Sequence, residues 1–365
     1  MTKNSSTLKL ALFIGLCTLT FSVPVIRFLS FAFTPLNRIP TQIEPSYLEV
    51  HKGDLPKEIT KQLVQLKAIE DPRSFLWLGK LTRQWNKIKA GEYEVSAQMT
   101  PLDILNKLAS GISVVHPVTV KEGENIYEIA KDLASKKLIQ QEMDFIELTR
   151  NPTFIQSLEY FKGDSPKTLE GYFFPETYFF NKTQSPQDIA KQMIRHFFEY
   201  WKEQHSHRAK ELQLTLHQVV TLASMIEKET GAAEERPLIS SVFHNRLKQG
   251  MRLQSDPTTI YGMWSRYTGN IHKADLLEKN EYNTYQISGL PLGPISNPGK
   301  ASLDAALYPS ESSYLYFVSH NDGTHQFSIQ YSDHIKAVNQ FQINPKNRTT
   351  PQRKDMNQRR KVIQQ

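Results

Sequence analysis

The feature that most constrains the fold is a self-match at an offset of seventy residues. Val50, Gly53, Glu58, Ile59, Leu63, Ile69, Phe75 and Leu78 recur as Val120, Gly123, Glu128, Ile129, Leu133, Ile139, Phe145 and Leu148. So many identities at one spacing imply two copies of one supersecondary unit. Each copy reads as a β-strand, a glycine turn, a helix with apolar residues at i and i+4 or i+5, and a second short helix. The match continues more loosely, with Ala90-Gly91-Glu92-Tyr93 resembling Glu170-Gly171-Tyr172-Phe173 and Thr100-Pro101 resembling Ser185-Pro186. Thr100 and Ser185 sit as helix caps ahead of a proline at the first helical position. Two related α+β modules of βαβ type are expected, at 46–115 and 116–200. Either one alone could bind glycan or serve as a spacer with its own small core.

Ahead of the modules, Leu10 to Ile26 is a run of seventeen uncharged residues, preceded by Lys3 and Lys9 and followed by Arg27. As a helix it spans roughly 25 Å, just short of a bilayer's hydrocarbon core, and Arg27 can snorkel while Phe28 to Phe33 extends the span. The expectation is a transmembrane anchor at 10–28, with residues 1–9 cytoplasmic and the remainder exported. A cleaved signal peptide is the rival, with Ser30-Phe31-Ala32 as its cleavage site, but the apolar run is long for that role. A proline-containing linker follows to residue 45. Cys17 is the only cysteine and lies inside the run, so no disulfide can form in the exported body.

The net charge of +7 does not describe a nucleic-acid binder, because seven Lys or Arg against one Asp fall in the last twenty residues. The body is close to neutral, and 341–365 reads as a basic, disordered tail.

From about Leu212 a strongly apolar helix is expected over Leu216–Thr230, with Gly231 as a left-handed cap. A second helix opens at Glu234 and Glu235, carries Pro237 in its first turn and stops at Gly250. Beyond it come a turn-rich segment, a Gly/Pro-rich loop from Gly289 to Gly299, a short helix, a strand at Tyr314–Ser319, and an Asn321-Asp322-Gly323 turn leading into a strand at Gln326–Gln330. The fold class is α+β, with an unusual density of irregular loops in which sites are commonly built.

The chain has no zinc-binding His-Glu-x-x-His, no phosphate-cradling loop and no nucleophile elbow. His205 and His207 flank a serine in a polar stretch and read as solvated. What remains is a pair of carboxylates, Glu227 and Glu229, at the end of the apolar helix. Burial raises a carboxyl pKa toward neutrality, as a general acid requires. Helical geometry does not choose between them, since Glu227 lies beneath Val220 and Ala223, and Glu229 beneath Leu222 and Ile226. Both could also emerge into solvent or pair with Lys228 or Arg236.

Leu222 to Thr230, Glu235-Arg236, Asn245-Arg246-Leu247, Gly250 to Thr258, Tyr282 to Tyr285, Gly289-Leu290-Pro291, Asn297-Pro298-Gly299, Tyr314 to Val318, and His325 with Phe327 together resemble the endolytic murein transglycosylase family, MltG or YceG-like. The resemblance implies a membrane anchor, a LysM-like module at 46–115, and a catalytic domain at 116–340 with a buried catalytic helix. It places the catalytic residue at the first Glu of Glu-Lys-Glu-Thr, Glu227.

The implied reaction is lytic. The carboxyl protonates the glycosidic oxygen between N-acetylmuramic acid and N-acetylglucosamine, then takes the proton of the muramic acid C6 hydroxyl, leaving a 1,6-anhydro end. Asp256, expected in a turn, lines the cleft or bonds its own turn. Gln254, Asn283, Tyr285, Ser296 and Asn297 are candidates for holding hydroxyl and N-acetyl groups. The chemistry needs no metal or cofactor. Expected partners are glycan strands, the inner membrane and, by resemblance, peptidoglycan synthases, with the catalytic domain periplasmic. A hydrolase pairing the acid with Asp256 and a noncatalytic glycan-binding scaffold are the competing readings.

Overall fold

A computed structural model describes residues 22–37, 45–161 and 165–343. Residues 10–21 of the expected anchor, Cys17, and the tail from 344 onward lie outside the described residues. Residues 22–33 are helical, so the helix runs beyond Phe28 into the segment expected as linker. Its far end has a packing role: Ala32 is buried in the core of the first module, and Phe28 and Phe31 pack against that core. Among the described residues, no helix is long and apolar enough to cross a membrane.

The described residues divide into two compact units, at Pro117/Val118 and around the short segment Phe179–Ser185, which belongs with the first. The first unit holds β1 (Ser46–Val50), α1 (Pro56–Gln65), α2 (Pro72–Leu81), β2 (Gly91–Val95) and α3 (Pro101–Ser110). β1 and β2 pair antiparallel, Ser46 opposite Val95 and Val50 opposite Gly91. The unit is therefore strand–helix–helix–strand, in place of the expected βαβ type, whose strands run parallel. Leu48, Ile59, Leu63, Phe75, Tyr93 and Ile104 fill its core. Thr100 caps α3 by accepting from the Asp103 N–H at 3.1 Å, as the sequence suggests. Phe179–Ser185 is tied to this unit by Lys182, whose Nζ meets the buried Glu92 carboxylate at 2.6 Å.

The second copy repeats the plan with β3 (His116–Thr119), α4 (Ile126–Ser135), α5 (Glu142–Leu148), α6 (Pro152–Ser157) and β4 (Thr177–Phe180), β3 pairing with β4. The repetition reaches the backbone. Lys67 and Lys137, seventy residues apart, both adopt left-handed φ, 53° and 58°. Each ends its first helix with the same pair of bonds: Ala68 N to Leu63 O at 2.9 Å and Lys67 N to Val64 O at 3.0 Å, matched by Leu138 N to Leu133 O at 3.0 Å and Lys137 N to Ala134 O at 2.9 Å. This six-to-one, five-to-two pattern normally recruits glycine, and here lysine takes the left-handed position in both copies.

The rest of the second unit is mainly helical: α7 (Pro186–Tyr200), α8 (Glu203–Glu211), α9 (Leu216–Glu229), α10 (Arg236–Lys248), α11 (Asp256–Gly262), α12 (Lys273–Leu277), α13 (Lys300–Leu307) and α14 (Tyr331–Val338), with the hairpin β5 (Tyr316–Ser319) and β6 (His325–Ser328) between the last two. Residues 339–343 continue as a π-helical turn, so the region expected as tail begins ordered. His205 is buried and stacks on Tyr200 with 4.9 Å between ring centroids, contrary to its solvated reading.

Gly231 is not the left-handed cap expected. The C-cap of α9 is Thr230 in an extended conformation, φ −86° and ψ 118°. Glycine is needed at 231 for another reason: a Cβ there would lie 2.4 Å from the carbonyl oxygen of Gly323, at the tip of the β5–β6 hairpin. The hairpin thus rests on the end of α9. Gly231→Ala is expected to lift the hairpin and cost about 1–3 kcal/mol, the usual range for forced overpacking. Urea unfolding of the variant against the wild type measures this.

Candidate active site

Helix α9 starts with a reciprocal cap, Thr215 Oγ1 accepting from the Gln218 N–H at 3.2 Å and Gln218 Oε1 accepting from the Thr215 N–H at 2.9 Å. Every residue from Val219 to Ile226 is buried, because α9 packs between α10 and α13. The apolar helix delivers its two carboxylates at the end, and there their surroundings diverge.

Glu227 is engaged at both oxygens. Oε2 accepts from the Gly299 N–H at 2.9 Å and Oε1 lies 3.5 Å from Arg236 Nη2, with the side chain only 8% exposed. Neighbouring Lys228 donates to the Gly123 carbonyl at 3.1 Å. Glu227 therefore ties α9 to the start of α13.

Glu229 faces a cavity of about 430 Å³ lined also by Arg246, Leu253, Gln254, Asp256, Tyr285, Phe317, Ser319, His325, Tyr331 and His334. Its Oε1 accepts from Ser255 Oγ at 2.5 Å. No partner for Oε2 is found among the described residues. Burial pushes the Glu229 carboxyl up to about 7; the Asp256 charge adds to the rise, while the Ser255 bond and Arg246 act against it. A carboxyl poised there is protonated in a useful fraction at neutral pH and can give up that proton. The expected catalytic position, Glu227, does not line this cavity. Glu229, two residues further on, does.

The other candidates separate cleanly. Gln254, Asp256 and Tyr285 line the cavity with Glu229. Asp256 is the first residue of α11, where a turn was expected, and its Oδ1 accepts from the Tyr285 hydroxyl at 2.7 Å. Gln254 holds a left-handed φ of 52°, a strained conformation at the cavity wall.

Asn283, Ser296 and Asn297 are buried and committed to the scaffold. Asn283 Nδ2 donates to the Glu278 carbonyl at 2.7 Å and its Oδ1 accepts from Thr259 Oγ1 at 3.1 Å. Ser296 Oγ reaches the Ser224 carbonyl at 3.3 Å. Asn297 bridges the Phe173 N–H, the Glu124 carbonyl and Glu170 Oε1 at 2.9, 2.9 and 3.1 Å. These polar side chains, in the loops at 278–299, serve here to satisfy buried backbone groups.

Several residues at the site had no assigned role from sequence. Ser255 was visible only as part of a motif. Arg246, buried, donates to the Leu315 and Leu253 carbonyls at 2.7 Å each and so joins the hairpin to the loop before α11. Glu235 receives both the backbone N–H and Nδ1 of His325, at 3.1 and 2.7 Å. Glu170 is enclosed away from the cavity. Burial pushes it up to about 7 although the Ile126 N–H and the Tyr261 hydroxyl bond it at 3.0 and 2.8 Å.

The sequence model of the YceG-like family matches residues 48–340. An endolytic murein transglycosylase of Bacillus subtilis is 32% identical over 82% of this chain and 85% of its own length. One from Streptococcus pneumoniae is 26% identical over 79% of this chain and 57% of its length. The crystal structure of a YceG-like protein of Listeria monocytogenes superposes with a TM-score of 0.56 at 31% identity, covering 80% of this chain and 99% of that one.

Glu229 and Glu170 both hold protons in the folded state that the unfolded chain, with ordinary carboxyl pKa values, has released. Between about pH 4.5 and 7 the folded state binds more protons, so stability is greatest at the acid end and falls as pH rises. The unfolding midpoint is expected to drop from pH 5 to pH 8, and Glu229→Gln to flatten part of that drop, as read by denaturant titration at each pH.

Proposed function

The chain belongs to the YceG-like family, and from that membership and the cavity at Glu229 we propose that it is an endolytic murein transglycosylase with Glu229 as proton donor. The observation that carries the assignment of the acid is that the Glu229 carboxyl lines the cavity with one oxygen held by Ser255 and is pushed up to about 7 by burial. In this reading the Glu229 proton passes to the oxygen linking N-acetylmuramic acid to N-acetylglucosamine as the C1–O4 bond breaks. The muramic acid C6 oxygen then closes onto C1, giving the 1,6-anhydro end. Gln254, Asp256 and Tyr285 would bind the sugar hydroxyl and acetamido groups from one wall. The proton leaving the C6 hydroxyl returns to Glu229 or passes to another base lining the cavity.

Asp256 in the same cavity keeps a second reading open, a hydrolase in which it activates water. The products decide, since only hydrolysis leaves a reducing end.

The uncharged run at 10–26 supports an anchor in the cytoplasmic membrane with the enzyme on the outer face, where strands emerging from peptidoglycan synthases would be the substrate in reach. The first module would act as a LysM-like glycan holder. Trp77, 56% exposed with the Lys80 ammonium 5.0 Å from its ring, offers a face on which a sugar can stack.

Full-length protein in detergent, incubated with uncrosslinked glycan strands, is expected to release anhydro-muramic ends detectable by mass spectrometry. Glu229→Gln should lose about 10²- to 10⁴-fold of that rate, the usual worth of a general acid. Glu227→Gln, which keeps an acceptor for the Gly299 N–H, should stay within about tenfold of wild type, because the proposed acid is intact. The reverse ranking would return the acid to Glu227.

A further inference from the structure

The cavity contains a second proton-handling atom. His325, the first residue of β6, lines it together with Glu229 but arrives on the hairpin, whereas Gln254 and Asp256 come from the start of α11 and Tyr285 from the loop after α12. Glu235 grips His325 twice, through the backbone N–H at 3.1 Å and through Nδ1 at 2.7 Å. The ring is further fixed edge-on against Phe317, 5.4 Å between centroids at 89°. No partner for Nε2 is found among the described residues. A carboxylate on Nδ1 keeps the proton on that nitrogen and leaves Nε2 with its lone pair, the orientation device common to histidine bases.

His334 lines the same cavity, but among the described residues no carboxylate bonds its ring to set its tautomer, and the ring is stacked on that of Tyr316 at 5.2 Å. The lytic reaction removes one proton, from the C6 hydroxyl, and adds one, to the leaving O4. Glu229 Oε2 can supply the second; an imidazole with its proton placed on Nδ1 can only accept, at Nε2.

We infer that His325, oriented by Glu235, is the base that takes the C6 hydroxyl proton while Glu229 acts as the acid. This rests on the lytic reading above. The C1–O4 bond breaks as the Glu229 proton moves to O4, the C6 oxygen bonds to C1, and its proton moves to His325 Nε2. The resulting imidazolium, beside the Glu235 carboxylate, returns its proton to the Glu229 carboxylate through solvent, so no proton is gained or lost over the cycle. A Glu–His pair that holds the C6 hydroxyl against C1 also keeps water from competing for that carbon.

The test compares full-length wild type, His325→Ala and His325→Gln on uncrosslinked glycan strands, with ends counted by mass spectrometry and folding checked by thermal unfolding. Wild type is expected to give anhydro ends; reducing ends from the wild type itself would sink the lytic reading, a failure distinct from that of this inference. His325→Ala is expected to cut about 100-fold more slowly, the lower range for losing a general base, to release a measurable share of reducing ends, and to regain rate when imidazole is added. His325→Gln, which preserves shape and an acceptor without a basic nitrogen, should be similarly slow and keeps the test available if the alanine variant unfolds. Folded variants that cut at the wild-type rate, or slow variants that make only anhydro ends and ignore imidazole, would overturn the assignment.

Discussion

The bond between Ser255 and Glu229 is the interaction on which the site depends. It joins the end of α9 to the residue just before α11, at 2.5 Å, and uses one carboxyl oxygen so that the other is left for the cavity. A carboxyl in that position is held against two opposing tendencies. Burial favours the neutral form, and the Ser255 donor favours the charged one. The balance falls near neutrality because burial is the larger effect. A fully solvated glutamate would be ionised at neutral pH, and Glu227, by contrast, has one oxygen on the Gly299 N–H and the other 3.5 Å from Arg236 Nη2.

Keeping Ser255 and its surroundings in place takes a buried polar scaffold. Ser255 N donates to Thr284 Oγ1 at 2.9 Å, and Thr284 Oγ1 also meets Thr258 Oγ1 at 2.8 Å, so the loop before α11 is locked to the loop after α12. Arg246 binds carbonyls on both the hairpin and the 252–253 segment. Glu170 and Asn297 do the same for the Gly/Pro-rich loop and the start of α4. Each such group would be costly if left unpaired in a dry interior, so the network specifies one arrangement of the irregular segments that regular secondary structure could not fix.

Periodicity made the regular parts legible. The repeat at offset seventy, the apolar helix ending in two glutamates, and the hairpin around Asn321-Asp322-Gly323 all follow from spacing and turn chemistry. The choice between Glu227 and Glu229 does not, because both sit under apolar stripes of one helix. What separates them is what each meets after the helix ends: Gly299 in one case, Ser255 in the other, both far along the chain. The same limit explains Asn283, Ser296 and Asn297. An asparagine that binds sugar and one that satisfies three backbone groups look alike in sequence, and only the depth of the loop distinguishes them.

The duplicated module shows how one local plan can be put to two uses. The glycine turn is left-handed in both copies, with φ of 99° at Gly53 and 80° at Gly123. At Gly53 an added Cβ would meet nothing within 4 Å, while at Gly123 it would touch the Glu227 and Lys228 side chains at 3.6 Å. The first copy exposes Leu55, Val64, Trp77 and Leu81, and the second has Asn125, Ala134, Glu147 and Asn151 at the corresponding positions. In the second copy the turn is occupied by the end of α9. The second copy thus supports the end of α9, and the first keeps the exposed surface that the proposed glycan-holding role would use.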